Sequence, residues 1–224
     1  DVDYSLGNNF ADFASQFSKD SRYRTELYKL RRKFMSHADG LIHADLHTSN
    51  ILASRDEMKV IDMEFAFMGP FGYDLGYLVG NLISQYCAAC FKRFPSEQNR
   101  KQFKAYLLAT IQSLIETYMK TFTLCWERSV KERYRGQQGL LQSILQEVMV
   151  DMPGYASMVN WFRSVSDIPY PDFDVIENKD AKRNATVLSL MIDWGIMFGR
   201  YKYQSADDLI ETIIGIEEEF RKSL

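Results

Sequence analysis

From Asp74 to the C-terminus, apolar side chains recur at three- and four-residue spacing with little interruption. That periodicity belongs to amphipathic helices packed on one another. It predicts helices near 74–93, 98–130, 138–150, 155–165, 182–201 and 205–222, punctuated by Pro95, Gly136, Pro153 and Pro169-Tyr170-Pro171. Ser205 followed by Asp207 and Asp208 marks a helix start, with negative charge near the positive end of the dipole. A further helix is expected over 20–38, capped by Asp20 or Ser21, with Tyr23, Leu27, Leu30 and Phe34 on one face. Only between 40 and 67 does the pattern change. There Leu41-Ile42-His43, Asn50-Ile51-Leu52-Ala53 and Lys59-Val60-Ile61 read as short strands in a small hairpin region. The expected fold class is mainly α with a short β-hairpin region. Residues 1–19 form a loose lead-in and 20–224 a single body.

Composition narrows the function classes. The 224 residues are 46% apolar and 25% charged, with 12 Gly and 5 Pro, which excludes collagen-like, Pro-rich and disordered chains. A net charge of −3 from 27 basic and 30 acidic residues leaves no footprint for nucleic acid or a membrane surface, and neither is expected as a partner. No apolar run reaches the roughly 18 residues of a membrane span. Asp1-Val2-Asp3-Tyr4 lacks the basic-then-apolar order of a signal peptide and an initiator Met, so this end is expected to be processed, trimmed or incompletely represented. Three cysteines are too few for a disulfide framework. Cys87-Ala-Ala-Cys90 lies inside a helical pattern with no second pair to complete a zinc site, so buried thiols are expected. A reducing cytoplasm is the expected location.

Polar chemistry concentrates between His43 and Glu64. His43-Ala44-Asp45-Leu46-His47-Thr48-Ser49-Asn50 is followed by a strand-like run and then by Ile61-Asp62-Met63-Glu64. Asp62, Glu64 and the Asn50 amide are hard oxygen donors of the kind that suit Mg²⁺, which takes one or two carboxylates and completes its shell with substrate phosphates. Asp45, five residues before Asn50, can face the other side of the pocket and accept a hydroxyl proton. H-x-D-x-x-x-x-N followed by an aspartate on the next strand is the arrangement of a kinase catalytic loop. A histidine at position 43 is expected to hold the loop by hydrogen bonds. His47 is placed near substrate or in a structural role, and His37 is assigned nothing. Gly69, Gly72, Gly76 and Gly80 are not a nucleotide loop: no strand precedes a G-x-G-x-x-G, and the later glycines at i+4 spacing are a helix-packing signature.

Residues 34–48, Phe34-Met35-Ser36-His37-Ala38-Asp39-Gly40-Leu41-Ile42-His43-Ala44-Asp45-Leu46-His47-Thr48, resemble the catalytic-loop region of the 5-methylthioribose kinases. Val60 to Gly76, through Asp62-Met63-Glu64-Phe65-Ala66-Phe67-Met68-Gly69-Pro70, is similar to the same family. Its fold is the aminoglycoside/choline kinase variant of the protein-kinase fold. The resemblance is dense over 22–90, weaker through 106–126 and the last two helices, and fades between 136 and 180. It implies a C-terminal kinase lobe with ATP as co-substrate, a sugar acceptor phosphorylated on its 1-hydroxyl in methionine salvage, and a homodimer. Asp45 would be the base, Asp62 and Glu64 the metal ligands of a D-x-E motif, and Asp74 the brace of the catalytic-loop backbone. The family usually has Gly where this chain has Ala44, and commonly Ser where it has Asn50, which restores the broader kinase pattern. Of the family's adjacent substrate-gripping arginines, the chain offers Arg163 after Phe162; Lys182-Arg183 aligns poorly.

A phosphate-covering Gly-rich loop and a strand lysine are absent before Asp20. The sequence therefore predicts a C-terminal lobe without its nucleotide clamp, inactive or nearly so by itself. The alternatives are another hydroxyl kinase, acting on choline, homoserine or an aminoglycoside, and a non-catalytic kinase-like lobe used for binding or dimerisation.

Overall fold

A computed structural model describes residues 17, 19–165 and 170–224. The lead-in expected over 1–19 therefore lies mostly outside the described residues. Phe17, near its end, is buried and packs on Tyr23 and Trp194.

Helix α1 (Ser21–Ser36) starts where the Asp20 carboxylate accepts from the backbone N–H groups of Arg22 and Tyr23, at 2.8 and 3.1 Å. Four three-residue strands follow: β1 (Gly40–Ile42), β2 (Ile51–Ala53), β3 (Met58–Val60) and β4 (Phe67–Gly69). They form two separate antiparallel pairs rather than one hairpin region. β1 pairs with β4, Gly40 opposite Gly69, and β2 pairs with β3, Ile51 opposite Val60. β4 escapes the sequence pattern because three residues before Gly69-Pro70 are too few to show alternation. Its pairing closes 43–66 into a loop whose two ends meet.

The remainder is helical: α2 (Gly72–Phe91), α3 (Glu97–Ser129), α4 (Gln138–Val165), the single turn α5 (Pro171–Asp174), α6 (Lys179–Gly199) and α7 (Ala206–Ser223). Two expected helices, 138–150 and 155–165, are one. Pro153 lies inside α4 and removes an N–H from its ladder. Residues 151–157 are all buried, and the neighbouring Val150 carbonyl accepts from the Arg200 guanidinium at 3.0 Å. Tertiary packing thus overrides the breaker. Likewise, Pro171 starts a helical turn rather than only ending a loop.

α2 is the central element. Its Gly76 and Gly80 face α4 so closely that a Cβ on either would lie 2.6 Å from the carbonyl oxygen of Met152 or Ala156. Val79, Ile83 and Cys87 of α2, Ile111 of α3, Met152 of α4, Leu188 of α6 and Leu209 of α7 meet in one core. Cys87 and Cys90 are both free and buried there. A polar thread crosses the interior: Ser84 Oγ donates to Asn160 Oδ1, and Asn160 Nδ2 donates to Asp193 Oδ1, both at 2.7 Å. Asp193 Oδ2 has no partner among the described residues. Burial, only partly offset by Asn160, pushes the Asp193 carboxyl well above its ordinary value. Among the described residues no helix is long and apolar enough to cross a membrane.

Candidate active site

The loop after β1 is hung from α2. The Asp74 carboxylate, in the first turn of that helix, accepts from the backbone N–H of His43 at 2.6 Å and of Ala44 at 2.9 Å. Both donors can reach one carboxylate because Ala44 adopts φ +68°, which reverses the chain locally. The Asp45 N–H donates to His43 Nδ1 at 3.3 Å, so the ring proton resides on Nε2 and donates to the Ile61 carbonyl at 2.8 Å. His43 is buried and joins the 43–50 loop to the segment leading into Asp62. Asn50, also buried, donates through Nδ2 to the Asp45 carbonyl at 3.1 Å, and its own carbonyl accepts from Ile61 N–H at 3.0 Å.

Asp45 emerges from this frame about a quarter exposed. Its Oδ1 accepts from the Tyr77 hydroxyl at 2.8 Å, and its Oδ2 lies 3.5 Å from His47 Nε2. Burial and then the Asp45 carboxylate raise the Tyr77 pKa, so the phenol is a donor throughout the neutral range. Tyr73 is pushed to about 12 by burial and by the charges of Asp74 and Asp45.

Asp62 and Glu64 stand exposed after β3, Asp62 at φ +65°. Among the described residues no three His, Cys, Asp or Glu converge into a metal cage. A Mg²⁺ that draws on one or two carboxylates and on phosphate oxygens needs no such cage. The donors fit it: two exposed carboxylates on one turn, and the Asn50 amide oxygen, which takes no hydrogen bond among the described residues. Asp62, Glu64 and Asn50 are the residues that could hold it.

Arg163 lies apart from the loop, in the last turn of α4. Its Nε donates to Asp172 Oδ2 at 2.7 Å, and its guanidinium stacks over Tyr170 at 4.5 Å. It borders a cavity of about 520 Å³ between α1, α2 and α4, which Tyr73 and Tyr77 also line. Tyr77 therefore stands between Asp45 and the cavity that Arg163 edges.

Two contributors were missed from sequence. Tyr77 bonds Asp45, and the buried Asn81 accepts from Thr48 N–H at 3.5 Å. The signal was available: Asp74, Tyr77 and Asn81 are spaced i, i+3, i+7 and form a polar stripe on an otherwise apolar helix.

Residues 9–114 match the phosphotransferase enzyme family. A methylthioribose kinase from Geobacillus thermodenitrificans is 32% identical over 214 residues, covering 94% of this chain and 52% of its own length. One from Geobacillus kaustophilus is 33% identical over 205 residues, covering 90% of this chain and 49% of its own. One from Exiguobacterium sibiricum is 35% identical over 137 residues, covering 61% and 33%. The chain spans about half the length of the first two. The matched segment contains Asp45, Asp62 and Asp74, so the loop, the acidic turn and the helix that braces them all lie in the part of the chain that is similar to the phosphotransferase enzyme family.

Proposed function

We propose that this chain is the acceptor- and metal-binding lobe of an ATP-dependent kinase that phosphorylates the 1-hydroxyl of 5-methylthioribose in methionine salvage. The observation that carries it is Asp45, held by its backbone and by Tyr77 with Oδ2 left towards the site. Relatives with the name methylthioribose kinase over most of the chain favour this acceptor over choline, homoserine or an aminoglycoside.

Asp45 orients the sugar hydroxyl through Oδ2 and takes its proton as the hydroxyl oxygen bonds to the γ-phosphorus of ATP and the bond from that phosphorus to the bridging oxygen breaks, releasing ADP. Tyr77 keeps Oδ1 engaged, which restricts rotation of the carboxylate and limits it to one productive face. His47, beside Oδ2, is placed to contact the acceptor. Asp74 and His43 hold the loop backbone, so Asp45 does not have to be ordered at the moment of reaction. Asp62, Glu64 and Asn50 would hold Mg²⁺, which neutralises charge on the transferring phosphoryl group. Arg163 reaches the acceptor from the cavity edge.

The hairpin residues Leu52, Met58, Val60, Met63 and Phe65 expose large apolar side chains beside these loops. In the proposed enzyme a nucleotide-clamping lobe packs on that face, which is in keeping with relatives about twice as long. Three free cysteines accord with a reducing cytoplasm, and the enzyme is proposed to act there as a homodimer.

The test is phosphoryl transfer by the full-length protein with methylthioribose, choline and ribose as acceptors. Methylthioribose is expected to be preferred. Asp45→Asn is expected to lower turnover by roughly 10²–10⁴-fold while ATP binding is preserved. Retained turnover in Asp45→Asn overturns the assignment of the base, and no turnover with any acceptor favours a non-catalytic lobe.

A further inference from the structure

We propose that Tyr118 of α3 is a positioning residue for the catalytic loop: its hydroxyl clamps the first turn of α2, from which Asp74 holds the backbone that aims Asp45. This rests on the kinase reading above and deepens it, because it names what keeps the base in place. The Tyr118 hydroxyl donates to the Phe71 carbonyl at 2.9 Å. Phe71 sits at the N-cap of α2, three residues before Asp74.

The start of α2 lacks both devices that ordinarily fix a helix N-terminus. Phe71 brings no side-chain oxygen to the cap position. Asp74 is the third residue of the helix, where an acidic side chain can reach back to the capping residue. It spends one oxygen on the His43 N–H and the other on the Ala44 N–H instead. A helix end that nothing fixes will fray, and this end carries the loop. The hold comes from α3. Ile111 and Ile115 seat that helix in the core, and Tyr118 continues the same stripe by one more turn. The Phe71 ring is gripped too: it meets Phe122 of α3 edge-on, centroids 4.9 Å apart, and lies so close over Gly40 of β1 that a Cβ there would be 2.6 Å from it. Such apolar contacts have no direction. The hydroxyl fixes where the Phe71 carbonyl points, and with it the first turn. Burial and the Asp74 charge push the Tyr118 phenol up to about 12, so it is a donor throughout the neutral range.

Two measurements on the full-length protein test this. Both use Tyr118→Phe, which keeps the ring, and Tyr203→Phe as a control, which removes a hydroxyl that joins the α6–α7 link to Thr212 of α7 at 2.9 Å. In amide hydrogen exchange, the N–H groups of His43 and Ala44 are expected to exchange about fivefold faster in Tyr118→Phe, the effect of one net hydrogen bond, and at the native rate in Tyr203→Phe. In an Asp74→Asn background Tyr118→Phe is expected to add nothing, because its effect runs through Asp74. In phosphoryl transfer to methylthioribose, kcat is expected to fall roughly tenfold in Tyr118→Phe with the KM of both substrates unchanged. Unchanged exchange, unchanged kcat, an additive effect with Asp74→Asn, or an equal loss in Tyr203→Phe overturns the role and leaves the kinase reading standing. Absence of turnover in the unaltered protein removes the kinase reading, while faster exchange in Tyr118→Phe still supports the clamp on the loop.

Discussion

Ala44 sits at φ +68°, where its Cβ crowds the following carbonyl at a cost of about 1–2 kcal/mol. The conformation persists because it delivers the N–H groups of His43 and Ala44 to one carboxylate, that of Asp74. Ala44→Gly relieves the crowding and adds freedom to the unfolded chain, so a net gain of about 0.5–1 kcal/mol in unfolding free energy is expected. Denaturant unfolding checks it, and a loss of stability would show that Ala44 is not strained. At this scale the sequence was informative where chemistry sets residue type. The H-x-D-x-x-x-x-N spacing located Asp45 and Asn50, and the alternating Asp62 and Glu64 marked a second acidic turn. It was silent on conformation, because nothing in Ala44 announces a left-handed backbone, and the polar stripe of Asp74, Tyr77 and Asn81 marks Tyr77 as a loop-facing residue without naming its partner 32 residues earlier in the chain.

α2 presents three faces to three tasks. Asp74, Tyr77 and Asn81 hold the loop, Gly76 and Gly80 admit α4, and Val79 and Ile83 enter the core. The glycine face tolerates little. A Cβ at Gly76 meets the Met152 carbonyl oxygen at 2.6 Å and Tyr155 Cβ at 2.7 Å, neither the end of a flexible chain. Gly76→Ala gains about 1 kcal/mol of helix propensity but overpacks a helix contact at about 1–3 kcal/mol. The expected result is a net loss of stability in urea unfolding, and an increase would mean that α2 and α4 can separate at no cost. The i+4 glycine spacing made this face legible. The single helix through Pro153 was not, since what keeps it continuous is burial of 151–157 and an Arg200 side chain distant in sequence. Nor was β4, whose identity comes from its partner β1 rather than from its own three residues.

Across the whole molecule, the buried Asp193 couples stability to pH. Its carboxyl lies well above the ordinary 3.8 in the folded state, so above that pH the unfolded chain has released a proton that the native one retains. Its contribution is full below pH 4 and declines as pH rises, by up to about 1.4 kcal/mol per pH unit, until the native group ionises. Asp193→Asn removes the titration. The variant is expected to gain on the native protein in thermal or urea unfolding as pH rises above 4, until Asp193 ionises in the fold, whatever its standing at pH 4. A difference that stays constant from pH 4 upward would mean that the Asp193 carboxyl is not raised in the fold. Paired carboxylates such as Glu26, taken to about 2 by Lys29, Tyr201 and Arg200 against the cost of burial, act in the opposite sense, but they are common to both proteins and cancel in the comparison.

The exposed apolar residues of the hairpins have a dielectric consequence. Asp62 and Glu64 share their rim with Met63 and Phe65 and face solvent, where two unit charges 4 Å apart interact by only about 1 kcal/mol. Covering the same face with protein lowers the local permittivity, and the same pair of charges then interacts by about 4 kcal/mol at an effective constant of 20. With the proposed nucleotide-clamping lobe packed over these apolar side chains, each interaction between charges at the rim would strengthen about fourfold without a carboxylate moving.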